Sequence, residues 1–447
     1  MLFKNREQII QNGQTPEIRK IREDILDILS AAIDAVDPYK AVKSRIGNNQ
    51  IKLDKKIVNI SDFEKIYLIG FGKASVGMAQ AICDTINIEK GIVVTNDKEK
   101  KVKNCNVTTF VGGHPIPDNN SVIGAEKILE LVKSCKQNDL LIVLISGGGS
   151  ALLSKPRINL EDLQKTTDLL LKSGADINEI NTIRKHLSYV KGGQLATSAK
   201  CNIISLIISD IIGDPIDFIA SGPTYPDSTT FADAKNILIK YELWNEIPSS
   251  AKNIIKEGII DKIPETPKKD NPIFKKVVNF IVANNKLACK SAEQKAEELG
   301  YKTMLLTTSL EGEAKEVGKY LVEKAKNFHT NAKKSLFLSG GETTVTIKGD
   351  GKGGRNQEMV LSSVKHISES DIIFVSFATD GIDGKSIAAG AIADNFSYKR
   401  AIEKDLDPNK YLENNNSFEF FNKINDLFIT ESTGTNVMDI QIIIKIS

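Results

Sequence analysis

Residues Ser146-Gly147-Gly148-Gly149-Ser150 end the apolar run Leu140–Ile145, and their three successive glycines carry no Cβ. A continuous β-branched run of this kind is the pattern of a strand buried on both faces. Free backbone N–H groups flanked by two hydroxyls suit an anionic oxygen, and a phosphate above all. Lys73 lies in a second such loop, Gly70-Phe71-Gly72-Lys73-Ala74-Ser75, between a strand-like and a helix-like segment. The loop is not a P-loop, because the first glycine and the residue after Lys73 do not fit Gly-x-x-x-x-Gly-Lys-Ser/Thr. Nor is it a dinucleotide fingerprint, since the third glycine, Gly77, comes too late. A helix amino end with a mobile lysine nonetheless suits phosphate or carboxylate.

Other residues with chemical potential also sit at the ends of apolar runs. Asp210 and Asp214 close Asn202–Ser209, and Asp380 follows Asp371–Ala378. Carboxylates there must be solvated, paired or bound to a cation, and magnesium takes one or two of them together with substrate phosphates. Ser339-Gly340-Gly341-Glu342 repeats the strand-then-glycine pattern, which puts Gly340, Gly341 and Glu342 beside a phosphate. Arg355 follows the glycine-rich Gly349–Gly354 and opens a helix, where a guanidinium can fork onto a phosphoryl group. His114 in Gly112–Asp118, with Arg184 and Lys191 in Asn181–Gln194, could hold an acidic substrate. Backbone donors, cations and carboxylates together are the inventory of phosphoryl transfer.

The elements that must carry these loops alternate. Apolar runs predict strands at Lys65–Gly70, Gly91–Asn96, Val107–Val111, Leu140–Ile145 and Asn202–Ser209. Helical spacing appears at Pro16–Ala35, Ser75–Ile86, Ser121–Ser134, Leu160–Lys172 and Ile177–His186. The prolines of Glu246–Lys276 read as a connection. Alternation then restarts at Val277–Ala283 and continues to Asp371–Ala378, with Met438–Ile446 as an alternating or edge strand. The fold class is α/β: a Rossmann-like, mostly parallel sheet with helices on both faces over 1–260, and a smaller α/β domain over 261–447.

Composition narrows the function. A chain of 447 residues is expected to form two domains. Lys+Arg 59 against Asp+Glu 57 disfavours a nucleic-acid partner, and no run is long enough for a membrane span. The five cysteines contain no Cys-x-x-Cys and the four histidines show no metal-ligand spacing. Reduced thiols in a cytoplasmic protein are the expectation. A serine hydrolase would need Gly-x-Ser-x-Gly, which does not occur.

The segments GFGKAS, GGHPIPD, SGGGSALL, NTIRKHLS with KGGQLA, SDIIGDP with IASGPT, LSGGETTV, GGRNQE and TDGIDG occur in this order. As a set they resemble the glycerate 2-kinases that carry a carboxyl-terminal MOFRL domain. The resemblance spans most of the chain. It implies ATP-dependent phosphorylation of D-glycerate at the 2-hydroxyl in a cleft between the two domains. It implies ATP and a divalent cation such as magnesium as cofactors, and it leaves room for a homodimer. Carried to matching positions, it puts Lys73 and Arg355 on the transferred phosphoryl and Ser146–Ser150 on the nucleotide phosphates. Asp210 is expected to orient the metal or take the hydroxyl proton, with Asp380 as second metal candidate. Two rivals stay open: a hydroxypyruvate reductase, which would need a nicotinamide site, and a non-catalytic sugar-phosphate-binding regulator.

Overall fold

The computed structural model describes residues 2–54, 56–329 and 331–446. Its internal contacts separate two units, Pro38–Val282 and Met1–Asp37 joined with Ala283–Ser447. The boundary read from the sequence at 260/261 therefore falls inside the first unit. The proline-bearing segment beside it is packed structure. Helix Ser249–Ile259 buries Ala251 and Ile255 against Phe231, Leu238 and Ile247.

In the first unit a six-stranded sheet runs in the order Val107–Val111, Lys90–Thr95, Ile66–Phe71, Leu140–Ile145, Asn202–Ile208, Val277–Ala283. The first five strands pair in parallel, with Ile69 opposite both Ile92 and Val143. Every side chain of Leu140–Ile145 is buried, and burying each such side chain contributes about 1.5–3 kcal/mol. From Ile66–Phe71 the chain winds outward to Val107–Val111, then returns to pair Leu140–Ile145 on the other side. These two strands form the topological switch point, outside whose carboxyl ends ligands bind in open α/β sheets. Val277–Ala283 completes this sheet and does not open the second domain, correcting the sequence reading. A three-stranded antiparallel sheet, Ile46–Gly47, Gln50–Leu53 and Lys56–Asn59, was not anticipated.

The helices flanking the site are locally encoded. Asn159 caps Leu160–Lys172 by accepting from Asp162 N, and Asp176 and Glu179 form a capping box on Ile177–His186. Such caps contribute about 1 kcal/mol each. Cys83 and Cys105 are joined by a disulfide, with Cα atoms 5.8 Å apart, which corrects the expectation of five reduced thiols. The fold brings the end of helix Ser75–Cys83 beside the segment preceding Val107–Val111, a contact that cysteine spacing does not encode. Cys135, Cys201 and Cys289 are free and buried.

The second unit holds a mixed six-stranded sheet in the order Lys302–Leu310, Lys334–Gly341, Asp439–Ile446, Ile372–Ala378, Gly390–Ala393, Leu427–Phe428. Asp439–Ile446 lies at its centre, antiparallel to both neighbours, so the expectation of an edge strand is corrected. Helix Pro16–Ala35, capped by Thr15 and opened by Pro16, buries Ile18, Ile21, Ile25, Ile28 and Leu29 in this unit. Its Arg22 is fully buried and donates to Asp394 Oδ2 at 2.9 Å and to Asp426 Oδ1 at 2.9 Å. Among the described residues no helix is long and apolar enough to cross a membrane.

Candidate active site

The two loops at the switch point are knitted together. Lys73 N donates to Gly147 O at 2.9 Å, and Ala74 N donates to Ser146 Oγ at 3.1 Å. Gly148 has φ +82°, a left-handed conformation that glycine adopts freely, and it caps the short turn Gly149–Leu152. What surrounds the glycines explains the absence of side chains. A Cβ on Gly147 would run into the Asp210 carboxylate. One on Gly148 would lie 2.8 Å from the His114 ring and 3.4 Å from Lys73 Cγ. One on Gly149 would meet Ala220 Cβ at 2.7 Å. Lys73, His114 and Asp210 thus converge on a single backbone cradle.

A second layer braces this cradle. Ala220, Ser221 and Gly222 all have left-handed backbones, with φ of 52°, 61° and 60°. For the two non-glycine residues that geometry costs about 1–2 kcal/mol each. It places the Ser221 hydroxyl 2.9 Å from Ser150 Oγ while Ser221 donates to Asn181 Oδ1 at 3.0 Å. Lys191 is buried, and its Nζ donates to Ser150 O at 2.5 Å and Leu153 O at 3.1 Å. The lysine expected to touch substrate therefore also holds the glycine loop. Ser221, in a segment expected to continue the rim of the Asp210 loop, thus reaches the glycine loop, whereas Asn181 was not singled out although NTIRKH contains it.

The electrostatics divide the groups by role. Burial raises the Asp210 carboxyl above its ordinary range, opposed by the charge of Lys73. Burial, with Lys73 nearby, lowers the His114 imidazole, so the ring is a neutral partner near pH 7. Burial and the adjacent Arg184 depress the Lys191 ammonium to about 7. Burial also lowers Arg184, which has no hydrogen-bond or ion-pair partner among the described residues. His114, Arg184 and Lys191 line one cavity of about 820 Å³ together with Gly148 and Ser150. The glycine loop thus joins two groups of candidates from the first unit: Lys73, His114 and Asp210 around Gly147 and Gly148, and His114, Arg184 and Lys191 in the cavity.

The candidates of the second unit form a different cluster. Arg355 opens helix Arg355–Ile367, whose N-cap Gly354 offers no side chain. Asp383 caps it instead, accepting from Asn356 N at 3.1 Å and Gln357 N at 2.9 Å. The Arg355 guanidinium forks onto Asp439, Nε to Oδ2 at 2.5 Å and Nη2 to Oδ1 at 3.0 Å, and Nη1 reaches Glu342 Oε1 at 2.6 Å. The sequence reading left this arginine open for a phosphoryl group, whereas here three of its donors engage carboxylates. Burial pushes Asp383 and Asp439 each up to about 6, against the pull of their donors.

Gly340 and Gly341 are buried within their strand, where a Cβ would strike the Asn285 side chain and the Leu310 backbone respectively. Their lack of side chains is a packing requirement, and Glu342 presents negative charge. Asp380 accepts from Ile382 N at 3.1 Å in a local turn. Asp439, Asp383 and Asn285 were missed as partners. Asn356 and Gln357 stand beside Arg355 in the sequence, but nothing local announces a carboxylate from the last strand. Among the described residues no group of three or more His, Cys, Asp or Glu is arranged to hold a metal.

Residues 24–256 match DUF4147, a domain of unknown function, and residues 335–439 match the MOFRL family. The chain is 45% identical over 443 residues to a glycerate 2-kinase of Pyrococcus horikoshii, covering 96% of this chain and 98% of that protein. It is 38% identical over 425 residues to a D-glycerate 2-kinase of Thermotoga maritima, covering 93% and 96%. A crystal structure of glycerate kinase from Thermotoga maritima aligns with a TM-score of 0.84 at 36% identity, over 97% of this chain and 100% of that one. The switch-point cradle lies within the DUF4147 match and the Arg355 cluster within the MOFRL match, and the chain belongs to the glycerate 2-kinase family.

Proposed function

We propose that this chain transfers the γ-phosphoryl group of ATP to the 2-hydroxyl of D-glycerate, yielding 2-phosphoglycerate and ADP. The observation that carries the reading is the convergence of Lys73, His114 and Asp210 on the bare backbone of Gly147 and Gly148. The family supports it, since its members named above are glycerate kinases. The backbone N–H groups of Gly147, Gly148 and Ser150 receive phosphate oxygens, while those of Ser146 and Gly149 are held by Phe71 O and Ser146 O; a preorganised cradle does this without reorganising during reaction. Lys73 neutralises charge on the moving phosphoryl group. Asp210, with its raised carboxyl, accepts the proton of the attacking hydroxyl, because a base tuned upward works closer to neutral pH. His114, neutral, donates to or accepts from the acid's polar groups.

Kinase chemistry of this kind uses a divalent cation, and the residues fit one modestly. Among the described residues no side chain hydrogen-bonds Asp210, whose carboxylate accepts only from its own backbone N–H, and this leaves an oxygen for a cation whose remaining ligands come from phosphates and water. Asp380, with one oxygen engaged by Ile382 N, is the weaker candidate. When bound, magnesium would withdraw charge from the phosphate oxygens.

The test is a phosphorus NMR spectrum of the product formed from ATP and D-glycerate. The reading expects the 2-phosphoglycerate resonance to grow in step with ADP. Only 3-phosphoglycerate, or no new phosphate ester, would overturn it. Loss of NADH absorbance with hydroxypyruvate would favour the reductase.

A further inference from the structure

The cavity beside the glycine loop is larger than a three-carbon acid requires. Its volume is about 820 Å³, well inside the range of about 300–1,000 Å³ that accommodates ligands of drug size. Its lining is of two kinds. The cations Arg184 and Lys191 gather with Ser150 near the loop, while Pro117, Leu163, Leu171 and Leu187 supply an apolar wall. Helix Leu160–Lys172 builds much of that wall and is pinned in place by Gln164 Nε2, which donates to Pro117 O at 2.8 Å. Gln164 lines the same cavity, and its Oε1 receives no donor among the described residues.

Lys191 is buried and Arg184 half-buried beside it, both lining the cavity, and Arg184 has no hydrogen-bond or ion-pair partner among the described residues. Two like charges that converge on one cavity, one buried and one half-buried, call for an anion between them. A carboxylate or a phosphate would serve equally. The apolar wall decides between them, because D-glycerate has no apolar face to bury whereas a purine ring has two.

We propose that this cavity seats the base and ribose of the nucleotide, with Arg184 and Lys191 turned to its phosphates and the acceptor acid bound beyond its His114 edge, beside Gly148. The assignment rests on the kinase reading. It moves Arg184 and Lys191 from the acceptor's carboxylate to the nucleotide, and Gln164 Oε1 becomes an acceptor for an exocyclic amine on the base.

Two experiments on the full chain test it. The first is photolabelling with 2-azido-ATP followed by peptide mapping. Label is expected in Glu161–Lys172 or His114–Pro117, suppressed by excess ATP and not by D-glycerate. Label confined to other peptides, or suppression by D-glycerate alone, overturns the assignment. The second is Thr167→Trp, which fills the wall. It should raise the KM for ATP at least about tenfold and leave the KM for D-glycerate within about twofold. The reverse split overturns the assignment. If the wild-type chain labels as expected but never phosphorylates glycerate, the kinase reading fails and the nucleotide cavity stands. If it phosphorylates glycerate but labels elsewhere, the cavity assignment fails alone.

Discussion

Nucleotide binding should be accompanied by proton uptake at Lys191. The ammonium is buried and depressed to about 7 from its ordinary value of 10.5, by burial first and by Arg184 second. That gap corresponds to roughly 5 kcal/mol between the two protonation states. The folded value lies below the unfolded one, so between these limits the unfolded chain binds more protons, and this residue's contribution to stability rises as pH rises from 7 toward 10.5. Phosphates seated near the amine reverse the imbalance by favouring the charged form. At pH 8 the free protein holds Lys191 mostly neutral, and the bound protein should hold it charged, which requires uptake of about one proton per site. At pH 6 the amine is already charged and uptake should be small. Calorimetric titration with a non-hydrolysable ATP analogue, in HEPES and in Tris, measures this from the difference in apparent binding heat. Lys191→Gln should abolish the uptake. Net proton release at pH 8, or uptake unchanged by Lys191→Gln, would refute the reasoning.

Three other perturbations follow from the geometry. Gly147→Ala forces the Asp210 carboxylate aside, so kcat should fall about 10²-fold with a near wild-type melting temperature. Gly47→Ala, with open space around it, serves as control, and an active Gly147→Ala enzyme removes Asp210 from the chemistry. Arg355→Ala should lower kcat by about 10²–10³-fold, measured by coupled ADP release; turnover within about threefold of wild type would cancel its role. Arg22→Ala leaves Asp394 and Asp426 with less buried compensation and should cost about 3–5 kcal/mol in denaturant unfolding, with a loss below about 1 kcal/mol counting against that network.

The strands and the loops at their ends were legible because buried parallel strands are written as apolar runs and their carboxyl-terminal loops as glycine. Leu140–Ile145 and Val107–Val111 agree residue for residue. What the sequence could not convey is which strands become neighbours. Gln441 and Lys445 make the last strand look half-exposed, yet Gln441 is buried between Ser339 and Ser376 in the registers of its two partners. Val277–Ala283 follows a proline-bearing stretch that resembles a linker, and only tertiary pairing assigns it to the first sheet. The same blindness applies to charge. Arg355 is evident as a cation, but Asp439, which occupies two of its donors, stands 84 residues away. Lys191 is evident as basic, but neither its burial nor its grip on Ser150 is encoded locally. Glycines differ as well: those at 147 and 148 make room for functional side chains, and those at 340 and 341 make room for Asn285 and Leu310.

The most direct test of the central claim is a crystal structure of the full chain with D-glycerate and a non-hydrolysable ATP analogue. The account predicts the γ-phosphate on the free backbone N–H groups of Gly147, Gly148 and Ser150, with Lys73 Nζ within hydrogen-bond distance of its oxygens. A γ-phosphate seated elsewhere, or not touched by Lys73, would contradict it.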